Sequence, residues 1–239
     1  MTHLFWTGGW DSTFRLLCLL LLEKNEVQPH YIVTGQKSTG KEIETMYRLI
    51  KDIYTKYPET RKLLKPLILK DYKGVEPNQE ITNVYLEIKK EKKINAQYEL
   101  LARYCHQINE KVELCSDPDI DGLKIDYFNT GKIFDTYFYY PLVDSHIYKK
   151  KMVKISNENG WSEIMSRTWF CRVPKRDQPC GLCGPCTDIL LADMDSRLPF
   201  KPRLIARLQL PFRKFWRNNY HLQSKAPFKY IYKMLSGRV

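Results

Sequence analysis

Two clusters of residues in this chain combine residue types and spacings that could support chemistry. The first is Thr7-Gly8-Gly9-Trp10-Asp11-Ser12, in which a pair of glycines lies beside hydroxyl groups and a carboxylate. Glycines let backbone amides approach a phosphate closely, and Thr7, Ser12 and Thr13 add hydroxyl donors. The lysine of a Walker loop and the third glycine of a dinucleotide fingerprint are both missing. The segment therefore predicts an anion site of another kind, with an ordinary tight turn as the alternative.

The second cluster contains four cysteines with the spacing C-x8-C-x2-C-x2-C. They are Cys171, Cys180, Cys183 and Cys186. Four thiolates suit tetrahedral zinc, and Gly181 and Gly184 allow the tight turns that such a site needs. An iron–sulfur cluster and free thiols are the alternatives. Because zinc with four cysteine ligands has no open coordination position, we expect a structural site and not a catalytic one.

Alternating strands and helices must position the first cluster. The apolar residues 3–6 predict a strand that ends just before the glycines, and residues 13–22 predict a buried helix after them. The same order continues with strand 29–34, helix 40–57 and strand 66–70. This order predicts an α/β fold with a parallel sheet, in which ligands bind beyond the carboxyl ends of the strands. Gly35-Gln36 ends the second strand, so we expect it to share one crevice with the glycine loop.

The middle of the chain gives weaker signals. Residues 72–93 are polar, and the charged run at their end favours a solvated face or a loop. The further predicted elements are helix 94–109, strand 111–116, strand 134–140 and helix 144–159. The last of these helices carries Lys149-Lys150-Lys151, from which one lysine could reach a phosphate. Residues 117–122 resemble a calcium loop, but Phe128 stands where its closing glutamate belongs, and we interpret them as a turn.

The overall composition is typical of a soluble globular protein. The 239 residues are 43% hydrophobic and 28% charged, with a formal net charge of +12. The apolar run around residues 16–22 is shorter than the roughly 18 residues of a membrane span, and we see no signal peptide. Seven cysteines, an odd number, favour a reducing compartment over disulfides. We therefore expect a cytoplasmic protein without a membrane partner, in which Cys18, Cys105 and Cys115 are core residues.

The last stretch of the sequence, residues 199–239, differs from the rest in its charge. It contains no Asp or Glu, and aromatic residues are interspersed among its basic ones. The basic residues are Lys201, Arg203, Arg207, Arg213, Lys214, Arg217, Lys225, Lys229, Lys233 and Arg238. Such a stretch could bind nucleic acid by charge and stacking, or dock onto a protein partner or onto this domain. A packed or solvated role is the simpler interpretation.

Together, the loop and the cysteines resemble those of the 7-cyano-7-deazaguanine synthase family, which belongs to the PP-loop ATP-pyrophosphatases. That family carries an S-G-G-x-D-S loop near its start, where Thr7 replaces the first serine here, and the same cysteine spacing near its end. Weaker similarities follow in the same order, so that the resemblance covers residues 3–195. They are Gly35-Gln36-Lys37 with Glu42-Ile43, Pro141-Leu142 before the lysine helix, and Thr168-Trp169-Phe170-Cys171.

The resemblance implies a doubly wound, mostly parallel α/β fold of the adenine nucleotide alpha-hydrolase type with a C-terminal zinc knuckle. Residues 1–198 would form this domain, with the knuckle at residues 168–190, and residues 199–239 would form a basic aromatic extension. It also implies that ATP adenylates a carboxylate and that pyrophosphate leaves. In the family, ammonia then converts 7-carboxy-7-deazaguanine to the amide and to the nitrile, 7-cyano-7-deazaguanine, a reaction of queuosine biosynthesis.

The resemblance further implies a role for individual residues. The pyrophosphate of ATP and its Mg²⁺ would be held by Thr7, Gly8, Gly9, Asp11, Ser12 and Thr13, and Gly35 and Gln36 would contact the nucleotide. Asp11, Ser12 and Lys149 would form the catalytic set, with Lys150 as the alternative to Lys149. The cysteine cluster would hold Zn²⁺ and fix one wall of the acceptor pocket. A homodimer is left open.

The chain departs from the family in the segments that shape the acceptor site. The family has P-G-R-N before its central helix, whereas Ile94-Asn95-Ala96-Gln97 stands here without the arginine. Its glycine-and-acid segment is replaced by Cys115-Ser116-Asp117-Pro118-Asp119, and Lys37 replaces an arginine that makes a bidentate fork. These changes leave two alternatives: a relative that acts on tRNA, a protein or a sugar, and a nucleotide-binding module without catalysis.

Overall fold

The structure is a computed structural model that describes residues 1–91, 94–115, 132–192 and 194–218. The predicted turn at residues 117–122 and the end of the basic extension, residues 219–239, lie outside the described residues. The chain divides into two compact units. The first consists of Met1–Gly35 and Glu42–Thr168, and the second of Gln36–Lys41 and Trp169–Val239.

A five-stranded sheet forms the centre of the first unit, and all of its neighbouring strands pair in parallel. In chain order the strands are β1 (Thr2–Phe5), β2 (Val27–Val33), β3 (Ile68–Asp71), β4 (Val112–Glu113) and β5 (Phe138–Tyr139). Their spatial order is β3-β2-β1-β4-β5. The chain thus builds outward in both directions from β1. The carboxyl ends of β1 and β4 flank the topological switch point, where open α/β sheets bind ligands.

Helices of very different lengths surround this sheet. In chain order they are α1 (Trp10–Leu17), α2 (Thr39–Lys56), α3 (Gln79–Glu91), α4 (Gln97–Ile108), α5 (Lys132–Tyr137), α6 (Pro141–Asp144), α7 (Lys149–Glu158) and α8 (Ser162–Ser166). A π-helical turn, Cys18–Leu22, continues α1. Short 3₁₀ turns, Pro58–Lys62 and Tyr72–Gly74, flank β3.

Two separate hydrophobic cores lie on the two faces of the sheet. Leu4 of β1 packs in one core with residues of α1, α2 and α7, whereas Phe5, the next residue, packs in the other core with residues of α3 and α4. Successive side chains of a strand point to opposite faces, so helices must cover both sides of the sheet. The fold is therefore α/β with an all-parallel sheet, which is consistent with the predicted doubly wound architecture.

The structure differs from the sequence-based prediction in three segments. Helix α3 occupies much of the polar stretch 72–93, because Ile81 and Tyr85, four residues apart, are both buried. The predicted strand 134–140 is instead α5 followed by the short β5, where Phe138 is buried against the sheet. The predicted helix 144–159 begins only at Lys149, since His146 before it has φ +49° and cannot continue a helix.

Among its described residues, the second unit contains the cysteine cluster and two helices. They are α9 (Gly184–Leu191) and α10 (Phe200–Asn218), with a 3₁₀ turn, Asp195–Arg197, between them. Helix α10 packs on α9, and its residues Pro202 and Ala206 are buried. The start of the predicted extension is thus a regular helix within the packed part of this unit.

Candidate functional site

The loop between β1 and α1 adopts a conformation that requires glycine. Gly8 has φ +67°, in the left-handed region that residues with a Cβ rarely adopt. A Cβ on Gly8 would lie 3.1 Å from Cγ of Met46 and 3.3 Å from Cγ2 of Thr45, both on α2. Backbone conformation and the close approach of α2 therefore both select glycine at this position.

Gly9 is the N-cap residue of α1 and has no side chain with which to cap the helix. The first N–H groups of a helix lack carbonyl partners within it, and the helix dipole places partial positive charge there. The amide of Thr7 donates to Oγ of Ser12, and the amide of Gly9 donates to Oγ1 of Thr7, each at 3.4 Å. Both hydrogen bonds are long, so these hydroxyls and amides can exchange them for contacts with an anion.

Thr13 has a different environment from the other predicted ligands in the loop. Its side chain is fully buried, and its Oγ1 accepts a hydrogen bond from Nε1 of Trp6 at 3.0 Å. The amide of Thr13 donates to the carbonyl of Gly9, which closes the first turn of α1. Thr13 thus fixes the loop from its buried side, and the contact with pyrophosphate implied for it stays a prediction.

An ion pair joins the loop to α7. Nζ of Lys149, the first residue of α7, lies 2.5 Å from Oδ1 of Asp11 in the first turn of α1. The two side chains are only 18% and 25% exposed, whereas Lys150 is exposed. The structure thus places Lys149, and not its alternative Lys150, beside the loop. A cation and a carboxylate suited to Mg²⁺ stand together beside the helix N-terminus.

A second charged pair, which the sequence analysis did not identify, ties α1 to β4. Nε and Nη2 of Arg15 donate to the two carboxylate oxygens of Glu113 at 2.7 and 2.8 Å, and Nη1 donates to Glu23. Burial opposes the charge of Arg15, but its bonds to Glu113 and Glu23 outweigh burial and raise the pKa of Arg15. The sequence contained an indication of this pair, because a charged residue within a buried helix or strand must find a partner of opposite charge.

Cys18 and Cys105 are buried in the apolar cores, as predicted, whereas Cys115, for which the same was predicted, is only packed against one of them. Cys115 is half-buried and follows β4 directly, close in sequence to Glu113. Burial raises the pKa of the Cys115 thiol well above its usual value, and the carboxylates of Glu113 and Asp11 raise it further. Because the thiolate is the reactive form, this shift disfavours Cys115 as a nucleophile.

The second predicted loop, Gly35-Gln36, follows the carboxyl end of β2. Gly35 has φ +68°, and β2 pairs in parallel with β1, so Gly35 lies at the same edge of the sheet as the glycine loop. The carbonyl of Gln36 accepts a hydrogen bond from the amide of Thr39 at 2.9 Å, which forms the turn into α2. Gln36 belongs to the second compact unit, and its side chain is exposed.

The four predicted cysteines come together in the second unit. Their sulfur atoms all lie within 4.8 Å of one another, and all four residues are buried. The Sγ atoms of Cys180 and Cys186 are 3.9 Å apart, those of Cys183 and Cys171 3.9 Å, and those of Cys183 and Cys186 3.5 Å. A disulfide would need about 2 Å. The cluster could hold a metal ion.

Backbone amides of the surrounding turn point at the sulfurs. The amide of Cys180 donates to Sγ of Cys171 at 3.2 Å, and the amides of Leu182 and Cys183 donate to Sγ of Cys180 at 3.3 Å. Gly181 makes this turn possible with φ +72°, and a Cβ on it would lie 2.3 Å from the carbonyl oxygen of Pro202. Hydrogen bonds of this kind favour the thiolate form, which is the form that binds metal.

The fold and these sites define the class of the protein. It is an α/β protein with a glycine turn at the switch point of a five-stranded parallel sheet and a buried four-cysteine cluster suited to a metal ion. Within the described residues, no helix is both long and apolar enough to cross a membrane. A scan against models of known protein families finds no match, and no curated protein matches the chain.

Proposed function

We propose that the protein is an ATP-dependent enzyme that adenylates a carboxylate and releases pyrophosphate. The observation that carries the proposal is the loop between β1 and α1. It combines a glycine required by geometry, an N-cap without a side chain, and the pair formed by Asp11 and Lys149. Its position at the switch point of the sheet is where nucleotides bind in folds of this class.

The loop residues would act on the phosphates of ATP. A carboxylate is a poor electrophile, so the enzyme must convert it to a mixed anhydride with AMP and stabilise the pyrophosphate that leaves. The amides after Gly9 and the hydroxyls of Thr7 and Ser12 would donate hydrogen bonds to the pyrophosphate. Asp11 would hold Mg²⁺, which neutralises phosphate charge when bound. Lys149 would then move its charge from Asp11 to the phosphates.

The acceptor we propose is 7-carboxy-7-deazaguanine or a related deazapurine, on the strength of the family resemblance. Ammonia would displace AMP to give the amide, and a second activation would give the nitrile. The substituted segment Ile94-Asn95-Ala96-Gln97 precedes α4, and Oδ1 of Asn95 accepts a hydrogen bond from the amide of Gln97 at 3.0 Å. Asn95 thus forms an Asx turn ahead of Ala96, the N-cap residue of α4, which has no side-chain cap.

We also propose that the cysteine cluster binds one Zn²⁺ with a structural role. Zinc–sulfur bonds of about 2.3 Å in a tetrahedron place the sulfurs about 3.8 Å apart. Three of the six sulfur–sulfur separations, at 3.5 to 3.9 Å, are close to this value, and all six are within 4.8 Å. All four ligands are protein thiolates, so the ion would have no free position for a substrate. Its contribution would be to hold the turn of residues 171–186 in place.

A nucleotide-binding module without turnover is the second candidate, and the missing arginine at residues 94–97 favours it. The same loop would bind ATP in both cases, so binding alone does not distinguish the two. Release of pyrophosphate distinguishes the enzyme from the binding module.

The test is a pyrophosphate-release assay on the zinc-loaded protein with ATP, Mg²⁺, ammonium and 7-carboxy-7-deazaguanine. We expect pyrophosphate and AMP to appear only when the deazapurine is present, and the nitrile to be detected by mass spectrometry. Pyrophosphate release with tRNA but without a deazapurine would identify a tRNA-modifying relative instead. Tight ATP binding without pyrophosphate release, across many carboxylates, would replace the enzyme with the binding module.

A further inference from the structure

The exposed side of α10 is apolar. Phe200, Leu204, Leu208 and Phe212 follow one another at intervals of four residues and are 50 to 78% exposed. Residues four apart lie along the same side of a helix, so these side chains form one continuous stripe, which we call the α10 stripe. A surface helix usually places such a stripe toward the core and its polar residues toward water. In α10 the stripe is instead exposed.

The opposite side of α10 is packed within its own unit. Pro202 and Ala206 are buried, and the carbonyl oxygen of Pro202 lies against the Cα of Gly181 so closely that no Cβ fits between them. Arg203 donates to the carbonyl of Leu198 at 2.9 Å, and Arg207 pairs with Asp195 at 2.7 Å. These contacts fix the rotation of the helix about its axis. The α10 stripe therefore cannot turn inward without the loss of this packing.

The charge of this part of the chain limits what can cover the stripe. Residues 199–239 contain ten Lys and Arg residues and no Asp or Glu. Lys201, which is exposed, lies beside the first residue of the stripe. An apolar stripe on a helix whose sequence contains six Lys and Arg residues and no Asp or Glu fits a partner that is apolar inside and negatively charged at its rim.

Three kinds of partner could cover the α10 stripe, and they differ in how well they match its apolar side chains and the positive charge of the helix. Nucleic acid would satisfy the cations and could stack on Phe200 and Phe212, but Leu204 and Leu208 between them offer neither stacking nor hydrogen bonds to bases and phosphates. A second copy of the chain would cover the stripe, but it would bring two strongly basic segments together without an acidic residue in either. An anionic lipid surface satisfies both features, since acyl chains accept the apolar residues and headgroups attract the cations.

We propose that α10 is an interfacial helix that attaches the protein to anionic lipid surfaces. The α10 stripe inserts among the acyl chains near the headgroups, and the exposed Lys201 beside it contacts lipid phosphates. This attachment is peripheral and involves no membrane span. It differs from the absence of a membrane partner predicted from the sequence, because that prediction rested on the lack of a span, whereas the exposed side of α10 is visible only in the structure.

The test is binding of the full-length protein to vesicles of equal parts phosphatidylcholine and phosphatidylglycerol, measured by co-sedimentation. We expect binding at low salt, weaker binding at high salt, and little binding to phosphatidylcholine alone. The double variant Leu204→Gln/Leu208→Gln should lower the partition coefficient about tenfold or more, because two leucine side chains no longer insert. The control Leu22→Gln/Leu86→Gln removes two leucines exposed on other helices and should bind as the wild type does.

We expect circular dichroism and thermal melting to show that each variant retains its fold, since all four leucines are exposed. No binding of the wild type to the anionic vesicles at low salt overturns the proposal. Equal binding of both double variants also overturns it, since electrostatic attraction alone would then explain the result. A Leu204→Gln/Leu208→Gln variant that instead loses self-association in light scattering, or affinity for a single-stranded RNA in fluorescence polarisation, assigns the stripe to that other partner.

Discussion

The glycine loop and the cysteine cluster are both built on a glycine in the left-handed region, but they use it differently. Gly8 has φ +67° and Gly181 has φ +72°. A Cβ on Gly8 would meet the flexible side chain of Met46 at 3.1 Å, whereas a Cβ on Gly181 would meet the backbone of Pro202 at 2.3 Å. The first turn leaves charged and hydroxyl groups open to a ligand, and the second surrounds four buried sulfurs.

This difference indicates that the loop in the first unit and the cluster in the second unit have different roles. The cluster satisfies its own polar groups, because its amides donate to its sulfurs and its thiolates would be saturated by one ion. The loop has long internal hydrogen bonds and a partly exposed ion pair, so a ligand can replace its contacts. Changes in the cluster should therefore act mainly on stability, and changes in the loop mainly on ATP chemistry.

The largest effect is expected from Cys183→Ser. The proposed zinc would lose one of its four ligands, and we expect the zinc content to fall from one per chain toward zero. The free energy of unfolding should fall by more than about 4 kcal/mol, or the protein should become insoluble. Elemental analysis and thermal melting measure both. The control Cys105→Ser changes a buried thiol outside the cluster and should keep its zinc. A wild type without zinc would refute the metal assignment.

A matched series of glycine-to-alanine variants comes next. Gly160, Gly8 and Gly181 have φ of +69°, +67° and +72°, so they differ mainly in what an added Cβ would meet. For Gly160→Ala, which meets nothing within 4 Å, we expect the left-handed conformation alone to cost about 1 kcal/mol. Gly8→Ala should cost about 2 kcal/mol, since Met46 can adjust, and Gly181→Ala more than about 3 kcal/mol, since the backbone of Pro202 cannot.

Urea unfolding of the three variants measures this order. Equal losses for Gly160→Ala and Gly181→Ala would mean that the approach of Pro202 is not tight and would weaken the contrast between the two turns. The ATP assay adds a second readout. Gly8→Ala should lose most activity despite its moderate stability loss, whereas Gly160→Ala should keep it.

Lys149→Gln addresses the loop without changing its backbone. We expect kcat/KM for pyrophosphate release to fall about a hundredfold, since the change removes the cation that we propose to stabilise developing phosphate charge. Stability should change little, because a partly exposed ion pair contributes at most about 1 kcal/mol. The control Lys150→Gln changes an exposed neighbour and should retain activity. A large loss in the control with little loss in Lys149→Gln would shift the role to Lys150.

The smallest expected effect is a loss of stability at acidic pH, which we attribute to His30 in the first unit. This residue is buried, with Nε2 2.9 Å from Nδ1 of His3 and Nδ1 2.8 Å from the hydroxyl of Tyr104. Burial, with a smaller contribution from His3, lowers the pKa of His30 from 6.5 to about 4. Between these values the unfolded chain binds a proton at His30 and the folded chain does not. The free energy of unfolding should therefore fall as pH decreases through this window.

Urea unfolding between pH 6.5 and pH 5 measures the change, which should be about 2 kcal/mol for this group. Acid also protonates the thiolates of the cluster, so the wild type alone does not isolate His30. The variant His30→Gln cannot titrate and should lose about this much of the pH dependence, whatever its absolute stability. An identical slope in the variant would show that His30 takes up its proton equally in the folded and unfolded chains.

Much of the sheet could be predicted from the sequence, because its signals are local. The apolar runs around β1, β2 and β3 are bounded by glycine, proline and polar residues, and the structure confirms all three strands within a few residues. Helix α3 was missed because its composition is polar and only one side of it is buried. Strand β4 is shorter than predicted, and the span around Phe138 is mostly helical, because tertiary packing decides the state of short aromatic segments.

The sites divide in a similar way. The spacing of the four cysteines identified the metal-capable cluster, since ligand spacing within a short turn is a local property. The pairing of Lys149 with Asp11, or of Arg15 with Glu113, joins residues far apart in the sequence and needed the fold. A lysine run offers several equivalent residues, and only the start of α7 determines which of them reaches the loop.

The sequence by itself determined the α/β class, the glycine turn after the first strand and the cysteine cluster. The glycine turn and the cysteine cluster each depend on residues no more than about fifteen positions apart. The α/β class depends on local apolar periodicity, so backbone preference and spacing are enough in all three cases. Only the tertiary structure decided which lysine meets Asp11, what backbone lies against Gly181, and that α10 turns its apolar side outward. These features depend on which surfaces pack together. Which side of a helix faces its neighbours is determined only when that packing has formed.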